Sequence, residues 1–186
     1  MRIVAGRWRG RTLADVGAGD AGAHLRPTTD RVRESLFNLL LNGKLGDPVT
    51  GSRVLDLFAG TGALGLEALS RGASHVTFVD KGTAARALLR ENVGRCGAQG
   101  ATKIFRRDAT DLGEGRGAPF DLVFLDPPYG QGLGETALAS AVAGGWIAPG
   151  ALVVWEESAA PLPPPGFERL DERAYGGTRI TILRAP

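Results

Sequence analysis

From Arg53 to the C-terminus the chain alternates short apolar runs with helical stretches, and that alternation restricts the fold more than any other feature. Arg53–Phe58 reads as a strand, Ala63–Arg71 as a short helix, His75–Val79 as a second strand and Thr83–Cys96 as a longer helix. Lys103–Arg106 and Phe120–Leu125 are the next strands, and a helix over Glu135–Ala143 leads to a fifth strand over Ala151–Glu156. Such alternation predicts an α/β fold, a parallel sheet joined by right-handed crossovers. The pattern changes at the end. Phe167–Arg173 and Thr178–Leu183 are separated only by Ala174-Tyr175-Gly176-Gly177, which predicts an antiparallel hairpin. Before it, Ala160 to Gly166 contains four prolines and reads as a stiff connector.

The 186 residues suit one domain, divided into a basic hairpin and loop (1–25), a helix and connector (26–52) and the sheet core (53–186). Apolar content of 43% and charged content of 23% are those of an ordinary globular protein, so neither disorder nor a fibrous repeat is expected. Cys96 is the only cysteine, which excludes an internal disulfide and a Cys-based zinc site. His24 and His75 stand far apart, and no metal is expected. No apolar run approaches the roughly 18 residues of a membrane helix, and the start has no leader-like segment, so a cytoplasmic enzyme is expected.

The first thirteen residues hold Arg2, Arg7, Arg9 and Arg11 and no acid. Ile3-Val4 and Thr12-Leu13 are placed to pair as a hairpin. Basic side chains interleaved with Trp8 point to phosphate contact with base stacking; the plainer reading is a solvated edge hairpin. Residues 14–25, rich in Gly and Ala, read as a loop. Thr29 or Asp30 then caps a helix whose buried stripe is Val32, Leu36, Leu39 and Leu40, with Gly43 as its stop. Arg31, Arg33 and Glu34 fall off that stripe, toward a cleft or water, and Arg31 and Arg33 join the arm as candidate nucleic-acid contacts.

The chemistry concentrates where Leu122 to Leu125 stops abruptly in Asp126-Pro127-Pro128-Tyr129. Two prolines make a stiff turn with exposed carbonyls, and the carboxyl end of a parallel strand is where open α/β sheets bind ligands. The set suits an exocyclic amine on an aromatic base. The Asp126 side chain and the Pro127 carbonyl can each accept one N–H, aiming the lone pair at an electrophile, and Tyr129 can stack on the ring. A bare Asp-Pro is more often a simple strand-to-loop turn.

A second site opens at Val54-Leu55-Asp56-Leu57-Phe58-Ala59-Gly60-Thr61-Gly62, where Gly60 to Gly65 spells G-x-G-x-x-G and Asp80 lies twenty residues beyond Gly60. Alone, that matches a dinucleotide fingerprint. Asp56, however, suits ammonium and sulfonium charge better than a pyrophosphate. Asp80 can accept from two ribose hydroxyls, and Asp108 from an adenine amine. Three acids at three successive strand ends trace one adenosyl ligand.

Arg-Pro-Thr-Thr-Asp-Arg-Val-Arg-Glu from Arg26, Asp-Leu-Phe-Ala-Gly-Thr-Gly from Asp56, Phe-Val-Asp ending at Asp80, and Asp126-Pro127-Pro128-Tyr129 together resemble the bacterial small-subunit ribosomal RNA guanine-N2 methyltransferases of the RsmD type. The basic opening Ile-Val-Ala-Gly-Arg-Trp-Arg-Gly-Arg resembles that family too. The resemblance covers nearly the whole chain and implies a Rossmann-like class I methyltransferase with seven strands, the last two an antiparallel hairpin. It implies S-adenosyl-L-methionine as cofactor and one guanine of 16S rRNA, in an assembling small subunit, as target. The implied cofactor residues are Arg26, Thr28, Asp56, Phe58, Ala59, Gly60, Thr61, Gly62, Asp80, Lys81, Asp108 and Ala109. The implied RNA contacts are Arg2, Arg7, Trp8, Arg9, Arg11, Arg31 and Arg33. The Gly/Ala-rich stretch 17–23 is longer than the family pattern needs. Rival readings are a DNA adenine-N6 methyltransferase with the same turn, a nicotinamide-dependent oxidoreductase using Gly60–Gly65, and an RNA-binding module without catalysis.

Overall fold

The computed structural model describes residues 1–15 and 29–186. Arg26, Thr28 and the stretch 17–23 lie outside the described residues. Helix α1 (Asp30–Asn42) starts where Thr29 accepts the Val32 N–H at 3.3 Å and ends at Gly43. Its inward face is Leu36, Phe37 and Leu40, all fully buried, each worth about 1.5–3 kcal/mol in apolar surface removed from water.

The elements that follow are β1 (Arg53–Leu57), α2 (Ala63–Ser70), β2 (His75–Val79), α3 (Thr83–Cys96), β3 (Thr102–Phe105), β4 (Phe120–Leu125), α4 (Leu133–Ala143), β5 (Ile147–Glu157), β6 (Glu168–Tyr175) and β7 (Thr178–Arg184). One seven-stranded sheet runs β3-β2-β1-β4-β5-β7-β6, with β1 to β5 parallel and β7 antiparallel to both β5 and β6. The strand order reverses between β1 and β4, so the carboxyl ends of these two strands flank the crevice of the doubly wound sheet.

Several boundaries shift by one or two residues, as in α4, which starts at Leu133 rather than Glu135, and two differences have a structural cause. β5 begins at Ile147 rather than Ala151, because Ile147 pairs with Phe120 and a register shift before Leu122 absorbs Pro149-Gly150. The C-terminal hairpin is tighter than expected: Tyr175 still pairs with Thr178, leaving Gly176-Gly177 as a two-residue turn.

On one face α1, α2 and α3 pack Phe37, Leu66, Leu69 and Leu89 against Val54, Val76, Phe78 and Phe124, and Ile3 and Leu13 join that cluster. On the other face α4 packs Leu138 and Ala141 near Leu55, Leu57, Val123 and Trp155. The crossovers from β1 to β2, β2 to β3 and β4 to β5 each contain a helix; the one from β3 to β4, residues 106–119, contains none.

The arm corrects the expected hairpin. It forms a single bridge, Arg2 to Thr12, with Ile3 N–H donating to the Arg11 carbonyl and Gly10 N–H to the Ile3 carbonyl, so no regular strands form. The arm is instead docked from below. Val4 and Ala5 N–H donate to the buried Glu67 carboxylate of α2 at 2.8 and 3.0 Å, and Trp8 N–H to the Ser70 hydroxyl at 3.0 Å. Among the described residues, no helix is long and apolar enough to cross a membrane, and no cluster of His, Cys, Asp and Glu is placed to hold a metal.

Candidate active site

β4 ends in four buried residues, Leu122 to Leu125, and delivers Asp126 to the crevice beside the end of β1. Asp126 keeps some accessible surface, yet its carboxyl is densely surrounded. Burial raises its pKa well above the usual carboxylate range, and Glu156, Asp56 and Glu157 add like-charge repulsion. Pro127 is buried and Pro128 half-buried beneath the turn.

The turn is held by carboxylates that end β5, which the sequence reading missed. Tyr129 O–H donates to Glu156 at 2.6 Å, and the Thr178 hydroxyl of β7 lies 3.1 Å from the same phenol oxygen. Burial and the Glu156 carboxylate push the phenol pKa up. Gly130 N–H donates to Glu157 at 3.1 Å, as does Ser158 N–H at 2.8 Å. The signal was present: Glu156 and Glu157 close an apolar strand, where acids stay buried only with donors to receive.

The turn after β1 forms the neighbouring half of the site. Phe58 has φ +58°, a left-handed conformation that costs a non-glycine residue about 1–3 kcal/mol, so the surrounding contacts must over-determine it. Ala59 N–H donates to the Val79 carbonyl of β2 at 3.1 Å, which ties this turn to the end of the next strand. Two glycines are required by space. A Cβ on Gly62 would lie 2.2 Å from Leu89 at φ +78°, and one on Gly65 would lie 2.5 Å from the Phe78 ring. Gly65 therefore approaches closely enough for its N–H to donate to Asp56 at 3.0 Å. Thr61, next to Gly62, is buried, and its carbonyl accepts from Asn92 at 2.9 Å.

Asp56 is more enclosed than the expected ligand-facing strand end. It is 2 % exposed, and burial raises its pKa to about 8, with Asp80 adding repulsion. Asp80 receives Gly60 N–H at 2.9 Å on one oxygen and Gly82 N–H at 2.7 Å on the other. Each oxygen retains a lone pair, so Asp80 is fixed without being saturated. The buried Arg86 donates to the Lys81 carbonyl at 2.5 Å and anchors the same turn. Asp108 receives Lys81 Nζ at 2.8 Å and Thr110 N–H at 2.9 Å; the Lys81 bond, first among several donors, lowers its pKa to about 2. Ala109, next in the chain, is buried.

The structure therefore brings together Asp126 to Tyr129 with Asp56, Phe58 to Gly62 and Asp80, and places Lys81, Asp108 and Ala109 at the neighbouring strand end. The arm divides. Arg9 and Arg31 are exposed, and Arg2 is exposed with Asp30 at 3.6 Å. Arg11 is exposed but its guanidinium donates to the Arg95 carbonyl of α3. Arg7 lies 4.1 Å over the Trp8 ring, and Trp8 is half-buried against the first core cluster, so packing competes with base stacking there. Arg33 corrects the sequence reading. It faces neither cleft nor water but is fully buried, 2.8 Å from Asp30 and 3.6 Å from Glu67, with a bond to the Arg2 carbonyl. Glu67 sits in the otherwise apolar helix Ala63–Ser70, and its lone charge was the clue that it serves a buried partner.

Comparisons with known proteins place the chain in a family. The family model described as conserved hypothetical protein 95 matches residues 1–184. The ribosomal RNA small subunit methyltransferase D of Escherichia coli is 37% identical over 179 residues, covering 95% of this chain and 85% of that protein. Its Haemophilus influenzae counterpart is 38% identical over 181 residues, 95% of this chain and 89% of that one. The solved structure of the Escherichia coli methyltransferase yhhF superposes with a TM-score of 0.82 at 34% identity, covering 100% of this chain and 97% of that chain.

Proposed function

The chain belongs to the conserved hypothetical protein 95 family, that of the small-subunit ribosomal RNA methyltransferase D proteins, and from that premise we propose that it methylates the exocyclic N2 amine of one guanine in 16S rRNA. The observation that carries this reading is the placement of Asp126-Pro127-Pro128-Tyr129 beside Asp56 and Asp80 at the switch point of the sheet. The proposed setting is the cytoplasm, on an assembling small subunit.

The donor set fits S-adenosyl-L-methionine. Asp56 and Asp126 are buried acids with raised pKa values, and a cationic ligand relieves their mutual repulsion where a pyrophosphate would add to it. Asp56 would face the ammonium and sulfonium charge, Asp80 the ribose hydroxyls, and Asp108 with Ala109 the adenine; Phe58 to Gly62 supply the close backbone. When bound, the cofactor supplies an electrophilic methyl group.

The chain's own residues do the rest by orientation. The target guanine leaves its stack at a cost of a few kcal/mol. Asp126 and the Pro127 carbonyl accept the two amine hydrogens and hold the lone pair in line, the kind of alignment whose loss costs about 100-fold. Tyr129 bounds the base, its ring fixed by Glu156 and Thr178. The methylated nitrogen sheds one proton, and Asp126, with its raised pKa, is placed to take it.

The test is methyl transfer from labelled S-adenosylmethionine to rRNA of cells lacking this gene, followed by nucleoside analysis. N2-methylguanosine at one position is expected; methylated adenine in DNA would replace this reading with its nearest rival. S-adenosylhomocysteine should stabilise the protein against heat and NAD should not.

A further inference from the structure

The crossover from β3 to β4 lacks a helix, and a parallel sheet normally has both faces covered. The consequence is a groove on the same face as α4, over the edge of the sheet that α4 does not cover. It is lined by Arg53 at the start of β1, His75 at the start of β2, Lys103 and Phe105 of β3, Arg116 of the crossover, and Trp146. Arg53 pairs in register with His75, and Lys103 with Thr77, so Arg53 and Lys103 stand on either side of β2, where burial and these two cations lower the His75 pKa. Among the described residues, no acid lines the groove. Asp121 is turned to the Arg53 backbone N–H, at 2.9 Å.

Its wall is aromatic. Trp146 stacks on Phe120 with centroids 6.2 Å apart, and Phe105 meets Trp146 edge-on, also at 6.2 Å. The Arg53 guanidinium lies 5.1 Å over Phe120. Phe105 is 36% exposed, one of few large apolar side chains left at the surface. Lys103 and Arg116 are exposed as well. Cations beside a partly exposed aromatic ring, which the Arg107 guanidinium approaches at 5.9 Å, match a single nucleic-acid strand, whose phosphates need charge and whose bases need a platform.

We propose that this groove is a second contact surface for the RNA substrate, with phosphates along Arg53, Lys103 and Arg116 and one base on Phe105. The groove rests on the rRNA reading but uses none of the residues that hold the cofactor or the target amine. It would grip RNA flanking the flipped guanine, on the far side of the sheet edge from the arm.

The experiment compares wild type with Lys103→Ala/Arg116→Ala and with Phe105→Ala, using an unmethylated 16S rRNA transcript as probe. The double variant should bind about tenfold more weakly, and the slope of log affinity against log salt should fall by about 1.4, roughly 0.7 for each lost phosphate contact on a single strand. Phe105→Ala should weaken binding about tenfold with the salt slope unchanged. S-adenosylhomocysteine binding should match wild type in both, and melting temperature should match in the double variant, whose replaced side chains are exposed; Phe105→Ala gives up the Trp146 contact and should melt slightly lower. Unchanged affinity and slope in the double variant, with wild type methylating the same transcript, would overturn the groove and leave the rRNA reading standing. Absence of both binding and transfer by wild type would overturn the rRNA reading, and the groove with it.

Discussion

The two ends of the same strands carry opposite chemistry. β1 begins at Arg53 and reaches Asp56; β2 begins at His75 and is followed by Asp80; β4 is followed by Asp126, beside Glu156 and Glu157 of β5. The carboxyl ends thus gather acids in a desolvated crevice, while the groove near the amino ends gathers exposed cations over buried rings. A net charge of +2 conceals this separation. The difference teaches that each end suits a different kind of ligand: acids at low dielectric favour a compact cation strongly, whereas exposed cations act on phosphates through a screened, salt-dependent attraction.

The largest effect should come from the acid end. Asp126→Ala should lower methyl transfer about 100-fold or more while leaving S-adenosylhomocysteine affinity near wild type, because the residue orients the amine. Asp126→Asn keeps one acceptor and should retain measurable turnover. Normal turnover of the alanine variant would erase the distinction between the two ends.

Next is a pH dependence that only buried acids produce. Asp56 titrates near 3.8 when exposed and at about 8 in the fold. Its protonated form therefore contributes fully below about pH 4, and that contribution is lost as the pH rises to about 8. Asp56→Asn, which can still accept from Gly65, should stabilise the ligand-free protein at pH 8 by up to a few kcal/mol relative to wild type, with little difference at pH 4. Cofactor affinity should fall at the same time. Parallel melting curves for the two proteins across that range would remove Asp56 from the acid cluster.

The smallest effect separates the arm's two kinds of residue. Trp8→Ala should lower the melting temperature, because the ring packs on the core and carries Arg7. Arg9→Ala should leave the melting temperature alone and reduce the salt slope of RNA binding by roughly 0.7 to 0.9. If Trp8→Ala melts like wild type yet binds RNA more weakly, the ring reads bases instead of holding the arm.

Much of this was legible beforehand because the signals are local. Apolar runs of strand length separated by helical periods located all seven strands, and α3 and β4 ran to the residues expected. The turn proposed to hold the cofactor was legible because Gly62 and Gly65 occur where backbone passes close to Leu89 and Phe78. Asp126 was legible because two successive prolines, without N–H groups to donate, follow it at the end of an apolar run. Arg33 was not. Helical spacing places it off the apolar stripe, but its burial depends on Glu67, thirty-four positions away and on another helix.

The sequence by itself determined the α/β class, the parallel core with its terminal hairpin, and the list of acids at the strand ends, since periodicity and turn residues act within a few positions. Only the tertiary structure decided which charges are spent internally and which remain outside. Glu67 holds the arm, Glu156 and Glu157 hold the Asp126–Tyr129 turn, and Arg33 is sealed in the core, while Lys103 and Arg116 stay in water because the β3 to β4 crossover lays no helix over them. A charge is buried only where partners offset its desolvation, and partners far apart in the chain meet only after it folds.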